Sequence, residues 1–232
     1  MPGSLRSGLL AMCRYHTPMI AAPPLLRVPR AEFSVDDPWA VPEACFRAPL
    51  VASDSGAAPR LMTRIAAYHD GQTLYALFSG ADDEEVVASM LQRDDPLYEE
   101  DVVELFLAPG EPDVYFEIEV SPRGTIFDAR IVSPRGVREG MRVDVDWTCE
   151  GLTSMVRLDR RSGEEGTLET VICIPFRSLV SVPPSPRSRW RANFFRIDRS
   201  TVHGDEYLSW QPTLKNPADF HVTSAFGELE FE

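Results

Sequence analysis

Turn-forming residues interrupt this chain so often that little room is left for long helices. The 232 residues include 20 prolines and 14 glycines, and both types are spread along the sequence. Proline removes a backbone donor and fixes φ, so it ends helices and is confined to the edges and ends of strands. The pattern therefore favours many short strands joined by turns.

The segments between these turns have the patterns of strands. An Asp70-Gly71 pair separates apolar runs at 61–68 and 73–78, which predicts a β-hairpin. In the segment 114–121, one face carries Val114, Phe116, Ile118 and Val120, and the other carries Tyr115, Glu117 and Glu119. Further strands are predicted at 101–108, 124–132, 153–158, 168–174, 190–198 and 228–231.

Nine or ten such strands predict an all-β protein, an antiparallel two-sheet β-sandwich with one or two short helices. The helical candidates are residues 83–91, which have apolar side chains on one side, and 175–179, which begin with a proline. Residues 1–30 lack clean periodicity and are predicted to be an N-terminal arm, and residues 31–232 a single sandwich domain.

The charge of the chain limits its partners. The formal net charge is −13, so its surface repels phosphate backbones, and neither nucleic acid nor an anionic membrane is an expected partner. No apolar stretch reaches membrane-spanning length or resembles a secretory leader, so we expect a cytoplasmic protein, with secretion left open. The four cysteines (Cys13, Cys45, Cys149 and Cys173) show no metal-binding spacing, and their disulfide state is left open.

Acidic residues are densest between Asp82 and Pro109, where ten carboxylates accompany a single arginine, Arg93. Calcium prefers carboxylate and carbonyl oxygens, which makes this segment a candidate calcium site. The candidate ligands are Asp94, Asp95, Glu99 and Asp101. A carboxylate pair within 94–104 would alternatively suit a glycoside hydrolase, and a solvated acidic loop is the third possibility.

Two aromatic residues lie in predicted loops, where the core does not obviously require them. Tyr98 lies among the acidic residues just before a predicted strand, and Phe220 precedes the last strand. Aromatic faces pack against the apolar faces of sugar rings, so both are candidate sugar platforms, although loop aromatics also seal cores. Trp210 is expected to support the Phe220 loop. Arg196 is expected either to pair with Asp198 or to reach the acidic segment.

The order of several segments resembles the family 9 carbohydrate-binding modules and their stand-alone relatives. The likeness covers about residues 33–232. The segments that carry it are 68–75, 95–106, 115–118, 174–179, 190–193, 209–210 and 226–229. The resemblance implies a jelly-roll sandwich that binds sugars without cleaving them, with structural calcium common in the family.

The same resemblance implies roles for individual residues. Two tryptophans that enclose a terminal sugar in sugar-binding members correspond to Tyr98 and Phe220. An arginine and an asparagine that bind hydroxyl groups correspond to Glu117 and Glu119, which accept but do not donate hydrogen bonds when ionised. The expected polar contacts are Glu117, Glu119, Arg196 and His221. Related sandwich domains that hold haem suggest a haem or metal-binding alternative, with Met90, Met155 and His221 available as ligands.

Overall fold

The structure, a computed structural model, describes residues 23–34, 36–83, 85–159 and 165–232. Two stacked β-sheets form the fold, which confirms the predicted all-β sandwich. Along the described ranges the strands are β1 (Leu25–Val28), β2 (Ala48–Pro49), β3 (Val51–Ala52), β4 (Thr63–His69), β5 (Thr73–Asp82), β6 (Val102–Ala108), β7 (Val114–Val120), β8 (Ile126–Val132), β9 (Arg142–Asp144), β10 (Thr153–Asp159), β11 (Gly166–Pro175), β12 (Arg189–Asp198), β13 (Glu206–Ser209) and β14 (Gly227–Phe231).

The two sheets differ in size. The large sheet has the order β1-β14-β12-β6-β7-β8-β9, and β13 joins β3 to β12 at its side. The small sheet has the order β10-β11-β5-β4-β2. β1 is parallel to β14, and the other strand pairs of the described residues are antiparallel. In the described part of the chain, no helix is long and apolar enough to cross a membrane.

The sandwich begins inside the segment that the sequence assigned to an N-terminal arm. β1 pairs with β14 in the register Leu25–Glu228 to Val28–Phe231. Leu26 and Val28 are buried in the core, and this burial explains why the segment joins the sheet. The rest of the predicted arm, residues 1–22, lies outside the described residues.

Alternate side chains of the two sheets meet in the core. The large sheet contributes Leu105, Ile118 and Phe194, and the small sheet contributes Ile65, Leu74 and Ile172. The rings of Phe78 and Phe194 join the layers at a centroid distance of 5.7 Å. Such interdigitating inner faces are typical of β-sandwiches.

The structure contains both of the turns that the sequence predicted. The hairpin at Asp70-Gly71 is confirmed, with Gly71 at a φ of +99° and the Asp70 carboxylate accepting the Gln72 and Thr73 amides. The turn predicted at 175–179 is confirmed as a 3₁₀ turn at Phe176–Ser178. Two further 3₁₀ turns occupy Leu97–Glu99 and Thr223–Ala225.

The helix predicted at 83–91 is wrong, because the described residues 85–91 have no helical structure. Their backbone amides bind acidic side chains instead of helix carbonyls. Val87 donates to the Asp101 carboxylate, and Ser89 and Met90 donate to the Glu100 carboxylate. Side-chain acceptors of this kind compete with helix formation.

Candidate ligand cavity on the outer face of the large sheet

Side chains alternate along each strand, so the large sheet also carries side chains on its outer face, which points away from the small sheet. Val103 and Leu105 of β6 enter the core between the sheets, as do Ile118 and Val120 of β7. Their alternate neighbours lie on the outer face, which confirms the two-faced pattern predicted for β7. The aromatic members of this outer face form a cluster of their own, which contains Phe106, Tyr115, Phe195, Phe220 and Phe226.

A cavity of about 400 Å³ opens beside this cluster. Aromatic, polar and aliphatic side chains all line it. The aromatic lining is Tyr98, Phe127, Tyr207 and Phe220; the polar lining is Glu104, Glu117, Arg138 and His221; the aliphatic lining is Met141, Val143, Val145, Ile197 and Ala218. A mostly apolar pocket of this size with a few converging polar groups is typical of small-molecule sites.

Tyr98 and Phe220, which are far apart in sequence, line this same cavity. Tyr98 is 47% exposed and contacts Phe127 edge-on at 6.3 Å. Its carbonyl accepts a hydrogen bond of 2.8 Å from the Arg199 guanidinium. Phe220 is buried and stacks on Phe195 at 4.2 Å with an interplanar angle of 13°. Tyr98 is therefore the accessible ring, and Phe220 is an aromatic wall fixed by packing.

Three glutamates lie together at the base of the cavity. The β6–β7 register places Glu104 opposite Glu119 and Phe106 opposite Glu117. Each of Glu104, Glu117 and Glu119 offers an oxygen within 4.8 Å of the others, and all three residues are buried. We call these three residues the glutamate triad. Like charges on facing strands repel, so this arrangement opposes folding.

Burial sets the protonation of the triad. It raises the pKa of Glu117 to about 7. Burial also raises the pKa of Glu104 and of Glu119 well above the ordinary value, and the neighbouring glutamate charges raise it further. Both effects disfavour the charged form, so the carboxyl groups hold protons near neutral pH.

His221 is the neutral neighbour of the triad. Its Nδ1 lies 2.6 Å from the Tyr115 hydroxyl, and its Nε2 lies 3.8 Å from Glu117 Oε1. Burial, together with the nearby Arg138 charge, lowers the pKa of His221 to about 3. Because the imidazole stays neutral at physiological pH, it does not neutralise the triad.

Arg138 belongs to the cavity although the sequence analysis did not select it. Its side chain is 59% exposed, and its Nε donates to Asp219 Oδ1 at 2.7 Å. Asp219 also accepts the His221 amide, so the ion pair connects the segment after β8 to the Phe220 loop. The sequence carries no local pattern that would have indicated this pairing.

Arg196, predicted to be a polar contact of the ligand, and Trp210, predicted to support the Phe220 loop, do not line the cavity. Arg196 points between the sheets, where it donates to Asp82 at 2.6 Å and to Asp198 at 2.8 Å. Trp210 packs in the core, edge-on to Phe194 at 6.0 Å. Alternation explains the position of Arg196, since its neighbours Phe195 and Ile197 belong to the outer cluster.

The four acidic residues predicted to bind calcium do not come together. Among the described residues, the group of three or more metal-ligating side chains that share one location is the glutamate triad. Asp101 uses both oxygens to accept the Val87 and Arg199 amides, and Asp95 accepts the Gln92 amide. Asp94 lies 3.8 Å from Arg93. The predicted ligand set therefore does not fit a single calcium ion.

The possible haem ligands are distributed over both sheets. Met155 packs against the outer cluster of the small sheet, which includes Tyr68 and Tyr75. Met90 and His221 lie on the large sheet side. The arrangement does not pair Met155 with His221, and the haem alternative stays a prediction.

Known proteins share both sequence and fold with this chain. Residues 48–231 match the model of carbohydrate-binding family 9. A protein of Arthroderma benhamiae named "Extracellular protein" is 28% identical over 183 residues, covering 75% of this chain and 80% of the relative.

Two solved structures share the fold at low sequence identity. A candidate carbohydrate-binding protein from Bacteroides uniformis superposes with a TM-score of 0.71 at 19% identity, over 91% of this chain and 100% of the other. A family 9 module from Caldicellulosiruptor kristjanssonii, solved with cellotriose, gives a TM-score of 0.54 at 14% identity, over 90% of this chain and 94% of the other.

Proposed function

Because the chain belongs to carbohydrate-binding family 9, we propose that it binds a carbohydrate in the cavity on the outer face of the large sheet and does not cleave it. One observation carries the proposal. Tyr98 and Phe220, the two positions that the family resemblance assigns to sugar-enclosing aromatics, line one cavity together with Glu117 and His221. The likeness to structures solved with cellotriose and with glucose supports the same ligand class.

The aromatic part of the interaction rests on Tyr98. Its exposed ring offers an apolar face to a sugar, while Phe220 is held by its stacking on Phe195. Both rings are smaller than the tryptophans of sugar-binding members and bury less apolar area. We therefore expect modest affinity, since a single sugar ring in a partly open cavity leaves little surplus over the cost of association.

The polar part of the interaction rests on groups that both donate and accept. Burial raises the pKa of Glu117 to about 7, so near neutral pH its carboxyl group is partly protonated and donates as well as accepts. Arg138 adds donors at the rim of the cavity. Together they supply the two kinds of hydrogen bond that sugar hydroxyl groups require, without an arginine at position 117.

A glycan array followed by calorimetric titration tests the proposal. We expect binding to at least one glycan. Tyr98→Ala should lose on the order of tenfold in affinity, since a ring stacked on an aromatic face contributes about 1 kcal/mol. Phe46→Ala is the matched control, because Phe46 is an aromatic residue even more accessible than Tyr98 (64% against 47% exposed) that does not line the cavity. Equal affinity of the wild type and Tyr98→Ala would contradict the proposed platform.

The hydrolase alternative is tested on the same protein. Of the carboxylates in 94–104, Glu104 lines the cavity, and its nearest acidic partners are Glu117 and Glu119. A panel of aryl glycosides should show no turnover above the rate measured with Glu104→Gln. Turnover by the wild type that Glu104→Gln abolishes would overturn the non-catalytic part of the proposal.

A further inference from the structure

We propose that the glutamate triad binds one hard divalent cation, with the ligand preferences of calcium, at the base of the cavity. The proposal goes beyond the proposed function, because the ion would bind whether or not a sugar is present. It also differs from the calcium site predicted in the acidic segment, since it uses residues of β6 and β7. Four independent features of the site support it.

The first feature is the spacing of the oxygens. Calcium binds oxygen ligands at about 2.3–2.6 Å, so two ligands on opposite sides of the ion lie about 4.6–5.2 Å apart. One oxygen from each of Glu104, Glu117 and Glu119 lies within 4.8 Å of the other two. One ion can therefore contact all three carboxylates with small side-chain adjustments.

The second feature is the presence of buried oxygens without hydrogen-bond partners. Glu104 Oε1 and both oxygens of Glu119 have no partner in hydrogen-bonding geometry among the described residues. Glu104 is 2% exposed and Glu119 is completely buried. The Glu119 carboxyl does lie near the Tyr98 amide and the Glu117 carboxyl. Buried polar atoms without partners are rare in proteins and indicate a group that binds there.

The third feature is the lack of a neutralising charge. The nearest arginines, Arg138 and Arg199, direct their hydrogen bonds to Asp219, Asp205, Tyr207 and the Tyr98 carbonyl. The Nδ1 of His221 lies 2.6 Å from the Tyr115 hydroxyl. Buried charges in proteins are normally paired or coordinate a metal, and no described hydrogen bond pairs the triad with a cationic side chain.

The fourth feature is access. Glu104 and Glu117 line the cavity, whereas Glu119 lies behind them. An ion that enters the cavity meets Glu104 and Glu117, and an oxygen of Glu119 lies within 4.8 Å of theirs. The open side leaves positions for further oxygen ligands, which calcium needs to complete six to eight contacts. An all-oxygen site of this kind favours calcium or magnesium over zinc.

Equilibrium dialysis of the full chain with radioactive calcium, after treatment with chelator and without any sugar, tests the inference. We expect one bound calcium per chain. Glu119→Gln should lower the affinity by on the order of tenfold or more, because ligand charge sets calcium affinity. The matched control is Glu99→Gln, which removes an exposed carboxylate of the acidic segment and should change nothing. Magnesium is measured as a competitor.

Thermal unfolding provides a second measurement. Calcium should raise the melting temperature of the wild type and of Glu99→Gln but not that of Glu119→Gln, because an ion stabilises only the state that binds it. If Glu119→Gln does not fold, Glu104→Gln takes its place. Absence of bound calcium up to millimolar concentration, or binding that survives both triad substitutions, would overturn the inference. Glycan binding is scored separately, so failure of the ion site and failure of the sugar site remain distinct results.

Discussion

Two groups of buried carboxylates lie on opposite faces of the large sheet, and they differ in whether arginine accompanies them. Between the sheets, Arg196 binds Asp82 and Asp198, and Arg60 binds Asp83 at 3.0 Å and Asp198 at 3.2 Å. We call this group the arginine cluster. On the outer face, the glutamate triad has no such partner among the described hydrogen bonds.

The difference separates a group whose charges are compensated inside the protein from the group that we propose binds an ion. The arginine cluster joins elements of both sheets, since Arg196 also donates to the Thr63 hydroxyl and the Ala81 carbonyl. Its charges are compensated inside the protein. The triad is buried to a similar degree, but its members Glu104 and Glu117 line a cavity, so compensation of their charge has to come from protons or from a bound group. Buried carboxylates that are paired with arginine are typical of a structural role, and buried carboxylates without a cationic partner are typical of a ligand or metal site.

The largest expected effect comes from replacing Arg196, the central residue of the arginine cluster. Arg196→Met should lower the free energy of unfolding by about 3–5 kcal/mol, because it removes the buried cation that binds both Asp82 and Asp198. Arg157→Met is the control, since Arg157 pairs with Glu169 on the surface and should cost less than about 1 kcal/mol. Urea denaturation measures both. Equal losses in the two variants would mean that the arginine cluster is not structural.

The pH dependence of stability gives the next largest effect. Burial raises the pKa of Asp198 to about 6, although Arg196 lowers it in part. The folded state therefore holds a proton that the unfolded state releases above about pH 4, so stability from this group is greatest below pH 4 and falls as pH rises through 6. The loss is up to about 3 kcal/mol.

Asp198→Asn should remove this contribution to the pH dependence of the free energy of unfolding. At pH 4 the protonated Asp198 carboxyl and the asparagine amide are both neutral, so the unfolding free energies of the wild type and the variant should be similar. As pH rises to 8, the wild type should lose stability relative to the variant. Parallel curves over the whole range would contradict the raised pKa.

Removing a charged group from the triad should raise the free energy of unfolding, whereas removing Arg196 from the arginine cluster should lower it. In the presence of chelator at pH 8, Glu104→Gln should raise the free energy of unfolding by about 1–3 kcal/mol, because glutamine removes a buried acid that folding must protonate or keep beside like charges. Glu99→Gln, on the exposed segment, should change stability by less than about 0.5 kcal/mol. A loss of stability in Glu104→Gln would show that its carboxyl has a structural partner.

Much of the fold could be predicted from the sequence because its signals are local. The Asp70-Gly71 turn and the alternation of β7 depend on neighbouring residues, and both are confirmed. The predicted helix at 83–91 failed because its amides bind the carboxylates of Glu100 and Asp101, which follow ten or more residues later. Apolar periodicity does not reveal such acceptors.

The site was less predictable because its residues meet through register and loop packing. Glu104 lies in an apolar run that indicates only a buried strand, and its approach to Glu119 depends on how β6 pairs with β7. Arg138 reaches the cavity through an ion pair with Asp219, 81 residues away. Arg196 and Trp210 carried suitable chemistry, but alternation directs them into the interior.

The smallest expected effect concerns ligand affinity rather than stability. It tests whether the cavity beside the glutamate triad, and not the arginine cluster, is the part of the protein that binds a ligand. Tyr98→Trp restores the larger ring that the family resemblance places at this position, on a side chain that is already half exposed. A larger aromatic face buries more of a sugar, so affinity should rise about threefold to tenfold, which corresponds to about 0.5–1.5 kcal/mol. Titration calorimetry on the best ligand of the glycan array measures it, with Phe46→Trp as the control. The free energy of unfolding should stay unchanged in both variants, whereas a change in affinity with Phe46→Trp would place the sugar outside the cavity that contains the triad.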